Sequence, residues 1–391
     1  MIRHLFLHAT FALLSTLLIG QAATIMTWNS LGFSALSQDR VIYFQTVIDS
    51  LQPDILVIQE LDETIDADYF HSAVLDSTMG MAPFMNGINS DNALYYNEDI
   101  FEAVANIPIL TNHRDISQFV MLHLPSGDTL RIFSVHLKSS TGTANQNMRL
   151  DEVNALRQVT DSLPQDAYYI VCGDFNIYSA NEPAYERLLS EEGSGYLWDP
   201  ISITGTWNNP NYAQYHTQSS RLTSFGGGAS SGMDDRFDLI LFSANFQSGD
   251  DLSYVPNSTW AVGNDGLHYD NSVNAMPNSS VSQSMADALY NATDHLPLIA
   301  SIEFHNTASE LREDALSRLK VYPNPSQGTI TVELPMNLSS ALIIMDATGR
   351  TVFTEKGAGT CTFDLSILPS GLYFLKVQSG TDERLLKLMI L

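Results

Sequence analysis

One stretch constrains the fold of this chain more than any other: Tyr168-Tyr169-Ile170-Val171-Cys172, followed by Gly173-Asp174-Phe175-Asn176. The apolar run reads as a buried strand, and it stops at a glycine. A carboxylate and a carboxamide then follow, one residue apart. Side chains two apart at a strand end share a side, so Asp174 and Asn176 are expected to converge on one small volume. Such an oxygen-rich corner suits a hard cation, a water and a phosphate oxygen. Gly-Asp also makes turns, which leaves a plain turn equally open on this stretch alone.

Other strands repeat the pattern. Thr24-Ile25-Met26-Thr27-Trp28 alternates and ends at Asn29, and Ile55-Leu56-Val57-Ile58-Gln59 ends at Glu60. Leu130 to Val135 ends at His136, Asp238 lies within Arg236-Phe237-Asp238-Leu239-Ile240-Leu241, and Asp294-His295 precedes Leu296-Pro297-Leu298-Ile299-Ala300. Residues 38–51 and 148–163 carry apolar residues at helical spacing. Strands with intervening helices set such ends along one rim of the sheets. Each polar residue singly has a bland alternative: Asn29 as a turn cap, Glu60 paired with a surface arginine, His136 hydrogen-bonded in a core. Their ordered recurrence at strand ends is what packing alone does not produce.

The series Asn29, Gln59-Glu60, Ser134-Val135-His136, Gly173-Asp174-Phe175-Asn176, Arg236-Phe237-Asp238 and Asp294-His295-Leu296-Pro297 resembles the endonuclease/exonuclease/phosphatase superfamily over roughly residues 24–304. Phe237 stands where that family more usually has an aliphatic residue. The resemblance implies a four-layer α–β–β–α sandwich of two mixed sheets. It also implies hydrolysis of a phosphoester by in-line attack of water, with Mg²⁺ or Mn²⁺ as cofactor and Ca²⁺ as the other candidate. The catalytic set it implies is His136, Asp174, Asn176, Asp238 and His295. Asn29, Glu60, Asp174, Asn176 and Asp294 are the candidate metal ligands. Asp238 would hydrogen-bond His295 and set its tautomer. Whether Asp174 or His295 is the base stays open. Lys138, Tyr96 and Arg149 are weaker candidates for substrate contact. Trp207, His216 and Asp265 fall in loops that could line the cleft, with loop packing the favoured reading.

Residues 1–23 have a charged start, an apolar run from about Leu5 to Ile19 and small residues at the end, the pattern of a secretory signal peptide cleaved after Ala22 or Ala23. No later apolar run reaches the length of a membrane span. Residues 24–305 form the expected catalytic domain, 306–316 a polar linker, and 317–391 a small all-β sandwich of short, evenly spaced strands. Tyr322-Pro323-Asn324-Pro325, Asp346-Ala347-Thr348-Gly349-Arg350, Leu368-Pro369-Ser370-Gly371-Leu372-Tyr373 and the end at Leu391 resemble the C-terminal sorting domain of the type IX secretion system. That implies export through the periplasm and across the outer membrane to the cell surface or medium. An immunoglobulin-like binding module is the alternative.

Residues 24–305 hold 35 Asp/Glu against 9 Lys/Arg, and Lys138 is the only lysine among them. A surface that acidic repels polyanions at long range, so action on phosphate needs local neutralisation by a metal. Cys172 and Cys361 are the only cysteines, and no disulfide is expected between them. The expected activity is that of an extracellular nuclease acting as a monomer. A phospholipid or sugar-phosphate hydrolase is the second expectation, and a secreted binding module with a decayed site the third.

Overall fold

The computed structural model describes residues 21–87, 91–249, 251–275, 277–305, 319–334, 339–346, 350–379 and 382–391. The signal segment up to Gly20, the linker 306–316 and the turn 347–349 lie outside those residues. The chain divides into two compact units, Met1–Asn306 and Thr307–Leu391.

In the first unit the apolar strands build two sheets. The first runs in the order Leu252–Tyr254, Leu298–Phe304, Gln21–Asn29, Ile55–Leu61, Asp91–Asn97, Met79–Met81, with Trp260–Ala261 also paired to Leu298–Phe304. The second runs Phe101–Ile109, Ile116–His123, Thr129–His136, Tyr168–Asp174, Asp238–Ser243, Leu197–Trp198. Each sheet has one parallel pair, Gln21–Asn29 with Ile55–Leu61 and Thr129–His136 with Tyr168–Asp174. Both sheets are therefore mixed. Their facing sides share one core, in which Ile25, Ile55 and Val57 lie on the same side as the Gln59 that reaches Ser134, with Ile132, Ile170, Cys172 and Ile240 from the second sheet. On the outer side of the second sheet, Val153, Leu156 and Leu188 of helices Thr143–Thr160 and Pro183–Leu189 pack on Val135, Val171 and Leu241. Helices Val41–Leu51, Thr64–Val74 and Gln283–Ala292 serve the first sheet. The result is the expected α–β–β–α sandwich.

Strand Tyr168–Asp174 is buried at every position, which is why it reads as a continuous apolar run rather than an alternating one. Gly173 is required there. It sits at φ +133, and a Cβ would come 2.0 Å from the Val135 carbonyl oxygen. Close approach of the parallel strand leaves no room for a side chain. Below the rim, a polar bridge joins the two sheets: the Gln59 amide nitrogen lies 3.0 Å from Thr27 Oγ1 and 3.2 Å from Ser134 Oγ.

The first strand begins at Gln21, with Gln21, Ala22 and Ala23 paired to Phe304, Glu303 and Ile302. Cleavage after Ala22 or Ala23 would shorten this pairing without touching Asn29.

The second unit has a three-stranded sheet (Lys320–Tyr322, Thr329–Glu333, Thr360–Asp364) and a four-stranded one (Thr351–Ala358, Ser339–Asp346, Gly371–Ser379, Asp382–Ile390). Ile330, Val332 and Phe363 share a core with Leu342, Ile344, Leu375, Val377 and Leu388. This is the expected all-β sandwich. Neither cysteine is in a disulfide.

Candidate active site

Strand register builds the centre of the site. His136 pairs with Asp174, and Asp174 pairs with Asp238, so three polar residues stand in a row across adjacent strands of the second sheet. Asn29 and Glu60 approach from the first sheet. The Asn29 amide nitrogen donates to Glu60 Oε1 at 3.0 Å and to Asp174 Oδ2 at 3.1 Å, tying the two sheets together at their rim. Its oxygen accepts from the Leu31 N–H at 2.9 Å. Asn29 therefore turns its nitrogen to the carboxylates and its oxygen to the backbone, tethering the two sheets here.

Backbone strain aims these groups. Leu31, Glu60 and Asn176 have φ of 51, 62 and 51, a left-handed conformation that is uncommon for non-glycine residues. At Glu60 the pairing with strand Asp91–Asn97 shifts register between Gln59 and Leu61. This bulge turns the Glu60 side chain out of the ladder toward Asn29. Asn176 and Asp174 do converge, but not through strand alternation. The strand ends at Asp174, and an Asx turn follows in which Asn176 N–H donates to Asp174 Oδ1 at 3.0 Å. The Asn176 side chain donates to the Leu137 carbonyl at 3.2 Å.

His295 completes the cluster. Its Nδ1 is 2.7 Å from Asp238 Oδ2 and its Nε2 is 3.8 Å from Asp174 Oδ2. Trp28 Nε1 donates to the His295 carbonyl at 2.9 Å. His136 Nε2 lies 3.5 Å from Asp174 Oδ2 and 3.6 Å from Glu60 Oε1. Asp174 and both histidines are buried, whereas the Glu60 side chain is 26% exposed.

Electrostatics separates the roles. Burial pushes the Asp174 carboxyl up to about 7; His295 and Arg114 oppose the rise, while Asp238 and Glu60 add to it. His136 is held well below the ordinary imidazole range by burial and by the charges of Arg114, His295 and Lys138, so its ring stays neutral. For His295, burial works against charge, but Asp238, Asp294 and Asp174 outweigh it and lift the ring well above its ordinary value. Asp174 and His295 therefore act on each other's titration across 3.8 Å.

Gln218 is the residue that sequence reasoning missed. Its amide nitrogen lies 2.6 Å from His295 Nε2 and 3.3 Å from Asp294 Oδ2. That orientation donates to a neutral ring; an imidazolium requires the amide to rotate and present its oxygen. Nothing in the local sequence marks Gln218, which comes from a polar loop read only as covering one end of the sheets.

Several expected contacts take other positions. Asp294 accepts from Ala229 N–H at 2.6 Å and from the Gln218 amide at 3.3 Å, and so anchors two loop segments. Arg149 is fully buried, ion-paired to Glu182, and donates to the carbonyls of Lys138 and Ser140. It shapes the 138–140 loop and does not reach the cleft. Tyr96 pairs with Ile55, at the end of its strand remote from Glu60. Lys138 is partly exposed beside the site, with Nζ donating to the Ser139 carbonyl at 3.2 Å. Trp207, His216 and Asp265 are loop-packing residues: His216 Nε2 lies 2.8 Å from the Trp207 carbonyl, and Asp265 is 2.7 Å from His268 Nδ1.

Among the described residues, no group of three or more His, Cys, Asp or Glu side chains is arranged to hold a metal ion. The donor set still fits a hard cation of another kind. One partly exposed carboxylate, Glu60, with a second carboxylate across the Asn29 tether, matches Mg²⁺-type sites that keep most of their waters.

Residues 320–391 match the secretion system C-terminal sorting domain, which marks the chain for type IX export to the cell surface or extracellular space. No curated protein matches the chain. Similar solved structures include the human Nocturnin catalytic domain with bound sulfate (19% identity, 72% of this chain and 94% of that one, TM-score 0.47). They also include TDP2 of D. rerio complexed with a single-strand DNA product (16% identity, 72% and 98%, TM-score 0.49). An endonuclease/exonuclease/phosphatase from Beutenbergia cavernae is similar at 13% identity over 94% and 100%, with TM-score 0.43. Enzymes of the endonuclease/exonuclease/phosphatase family hydrolyse phosphoester bonds and generally use divalent metals. Residues 26–295 match it over more than half of the sequence, and the chain belongs to that family.

Proposed function

We propose that the first unit is a divalent-cation-dependent phosphodiesterase that breaks a P–O bond by in-line attack of water. The observation that carries this reading is the rim row His136–Asp174–Asp238, closed on one side by His295 and on the other by Glu60. It puts one neutral donor, one electrostatically coupled pair and one partly exposed carboxylate around a single small volume.

Glu60, with Asp174 across the Asn29 tether, would hold the cation, which when bound neutralises phosphate oxygen charge and eases departure of the leaving oxygen. The neutral His136 ring donates to a phosphate oxygen without adding a proton to the pool. The water oxygen forms its bond to phosphorus as the ester oxygen leaves on the opposite side. The proton of that water passes to His295, whose affinity for it is raised by Asp238, Asp294 and Asp174 against the effect of burial. Asp238 keeps the His295 ring aligned through Nδ1, and Gln218 steadies Nε2.

The test uses the full chain with bis-p-nitrophenyl phosphate, in Mg²⁺ or Mn²⁺ and in EDTA. Metal-dependent turnover that falls by ~10² to 10⁴-fold in His295→Ala, with the fold retained, is the expected result. Turnover unchanged in that variant would refute the assignment. Nucleic acid, phospholipid and sugar phosphates all contain the reacting group, and a nuclease remains the reading expected from the sequence; the surface beside the site bears on the choice.

A further inference from the structure

Of the nine Lys/Arg in residues 24–305, most are committed inside the protein. Arg149, Arg157 and Arg236 are buried in pairs with Glu182, Asp161 and Asp199, and Arg187 pairs with Asp161. Arg40 and Arg221 are buried and donate to backbone carbonyls. Arg131 stands five residues before His136, at the other end of its strand. That leaves Arg114 and Lys138 at the site: both act electrostatically on His136, and Arg114 Nη1 donates to the Leu137 carbonyl at 2.8 Å. Two cations serve one phosphate group. A polynucleotide needs a track of them, because its affinity comes largely from neutralising successive phosphates.

The opposite flank is built for something uncharged. Beside Glu60 lies a cleft of about 300 Å³ walled by Leu31, Leu36 and Phe225, with Asp39 and Glu60 at its edge. Arg40 also lines it, with its guanidinium donating to the Ser30 and Leu31 carbonyls and lying 5.4 Å from the Phe33 ring and 5.6 Å from the Phe225 ring. With Glu60 given to the cation, Asp39 is left to repel a second phosphate there. Leu36 is 95% exposed and puts an apolar side chain at the edge of this cleft. Leu31 is held at φ 51 by the same Asn29 that holds Glu60 and Asp174, so the apolar wall and the catalytic carboxylates share one anchor. Gly228 brings the Phe225 loop onto this wall: a Cβ there would lie 2.8 Å from both Leu31 Cδ2 and Asp294 Oδ2.

We propose that the substrate is a compact phosphodiester, not a polynucleotide, and that its uncharged, partly apolar ester group occupies the Leu31–Leu36–Phe225 cleft. The proposal rests on the phosphodiesterase reading and refines it. The volume, at the small end of ligand pockets, fits a group of about the size of a single ring system.

The full chain in Mg²⁺ would be assayed on methyl p-nitrophenyl phosphate, on phenyl p-nitrophenyl phosphate and on plasmid DNA, from about 50 to 200 mM salt. The phenyl ester should exceed the methyl ester in kcat/KM by ~10-fold or more. Leu36→Ser, at an exposed position that folding does not depend on, and Phe225→Ala should each remove most of that advantage through KM, with kcat little changed. Salt dependence should be shallow. DNA turned over faster per bond than the phenyl ester, or a phenyl advantage that survives both variants, would overturn the proposal. Absence of turnover on every ester would instead overturn the phosphodiesterase reading beneath it.

Discussion

Replacing Asp238 by Asn isolates the contribution of the buried dyad. Asp238 is fully buried, with Oδ2 at 2.7 Å from His295 Nδ1 and Oδ1 without a hydrogen-bond partner. Asparagine keeps the shape and removes the charge, so what is lost is the charge-assisted part of one hydrogen bond. Hydrogen bonds to charged groups contribute about 1.5 to 3 kcal/mol, which corresponds to a rate loss of about 10- to 150-fold if the charge matters only while His295 holds the proton. The direction of the pH effect follows from the same balance. Asp238 is the foremost of the carboxylates that lift His295, and burial opposes them. Without it the ring must titrate at lower pH. The kcat/KM profile of full-length wild type and variant on bis-p-nitrophenyl phosphate, with saturating Mg²⁺, reads both quantities. The limb belonging to His295 should move to lower pH, and the thermal midpoint should fall, since a buried ion pair loses the charge of one partner. A limb that stays in place or moves upward, with the rate at its optimum intact, would refute the dyad.

Glu60→Gln should abolish the Mg²⁺-induced rise in thermal midpoint and reduce turnover by ~10² or more; retention of the metal-induced stabilisation would remove Glu60 from the cation site. Arg149→Met breaks a buried ion pair and should cost about 3 to 5 kcal/mol in chemical denaturation; lost activity at wild-type stability would restore it as a substrate contact. Glu152 is fully buried and its carboxyl is pushed up to about 7, chiefly by burial. The folded state thus binds a proton that the unfolded state releases near its ordinary value, so stability should fall as pH rises from about 4.5 to 7. Glu152→Gln should flatten that part of the stability profile in denaturant titrations. Gly173→Ala forces a Cβ against the Val135 carbonyl and should destabilise by ~3 kcal/mol or more; a midpoint equal to wild type would contradict the strand spacing.

The apolar runs with polar ends were legible because strand burial and strand termination are local properties. Tyr168–Asp174 is buried on both faces, and its composition says so. The convergence of Asp174 and Asn176 was expected for the wrong reason: an Asx turn joins them, and turn geometry at a non-glycine αL residue leaves little trace in the letters. Arg149 and Tyr96 were misplaced because a residue type does not reveal which way its helix face or strand end points. Arg149 turns into a buried pair with Glu182, thirty-three positions away. Gln218 was missed because its partners, Asp294 and His295, meet it only across a loop closure.

Sequence alone therefore determined the strands, the identity of the polar groups at their tips, the acidic balance of the first unit and the β-rich second unit, since each depends on composition and on periodicity over a few residues. Tertiary structure alone decided which tips face one another, which arginines are consumed inside the fold, and that Asn29 ties two sheets by its nitrogen. The physical reason is range. Patterning reports what one segment buries, whereas the electrostatic coupling of Asp174 and His295 depends on a 3.8 Å distance between groups 121 positions apart (295 − 174).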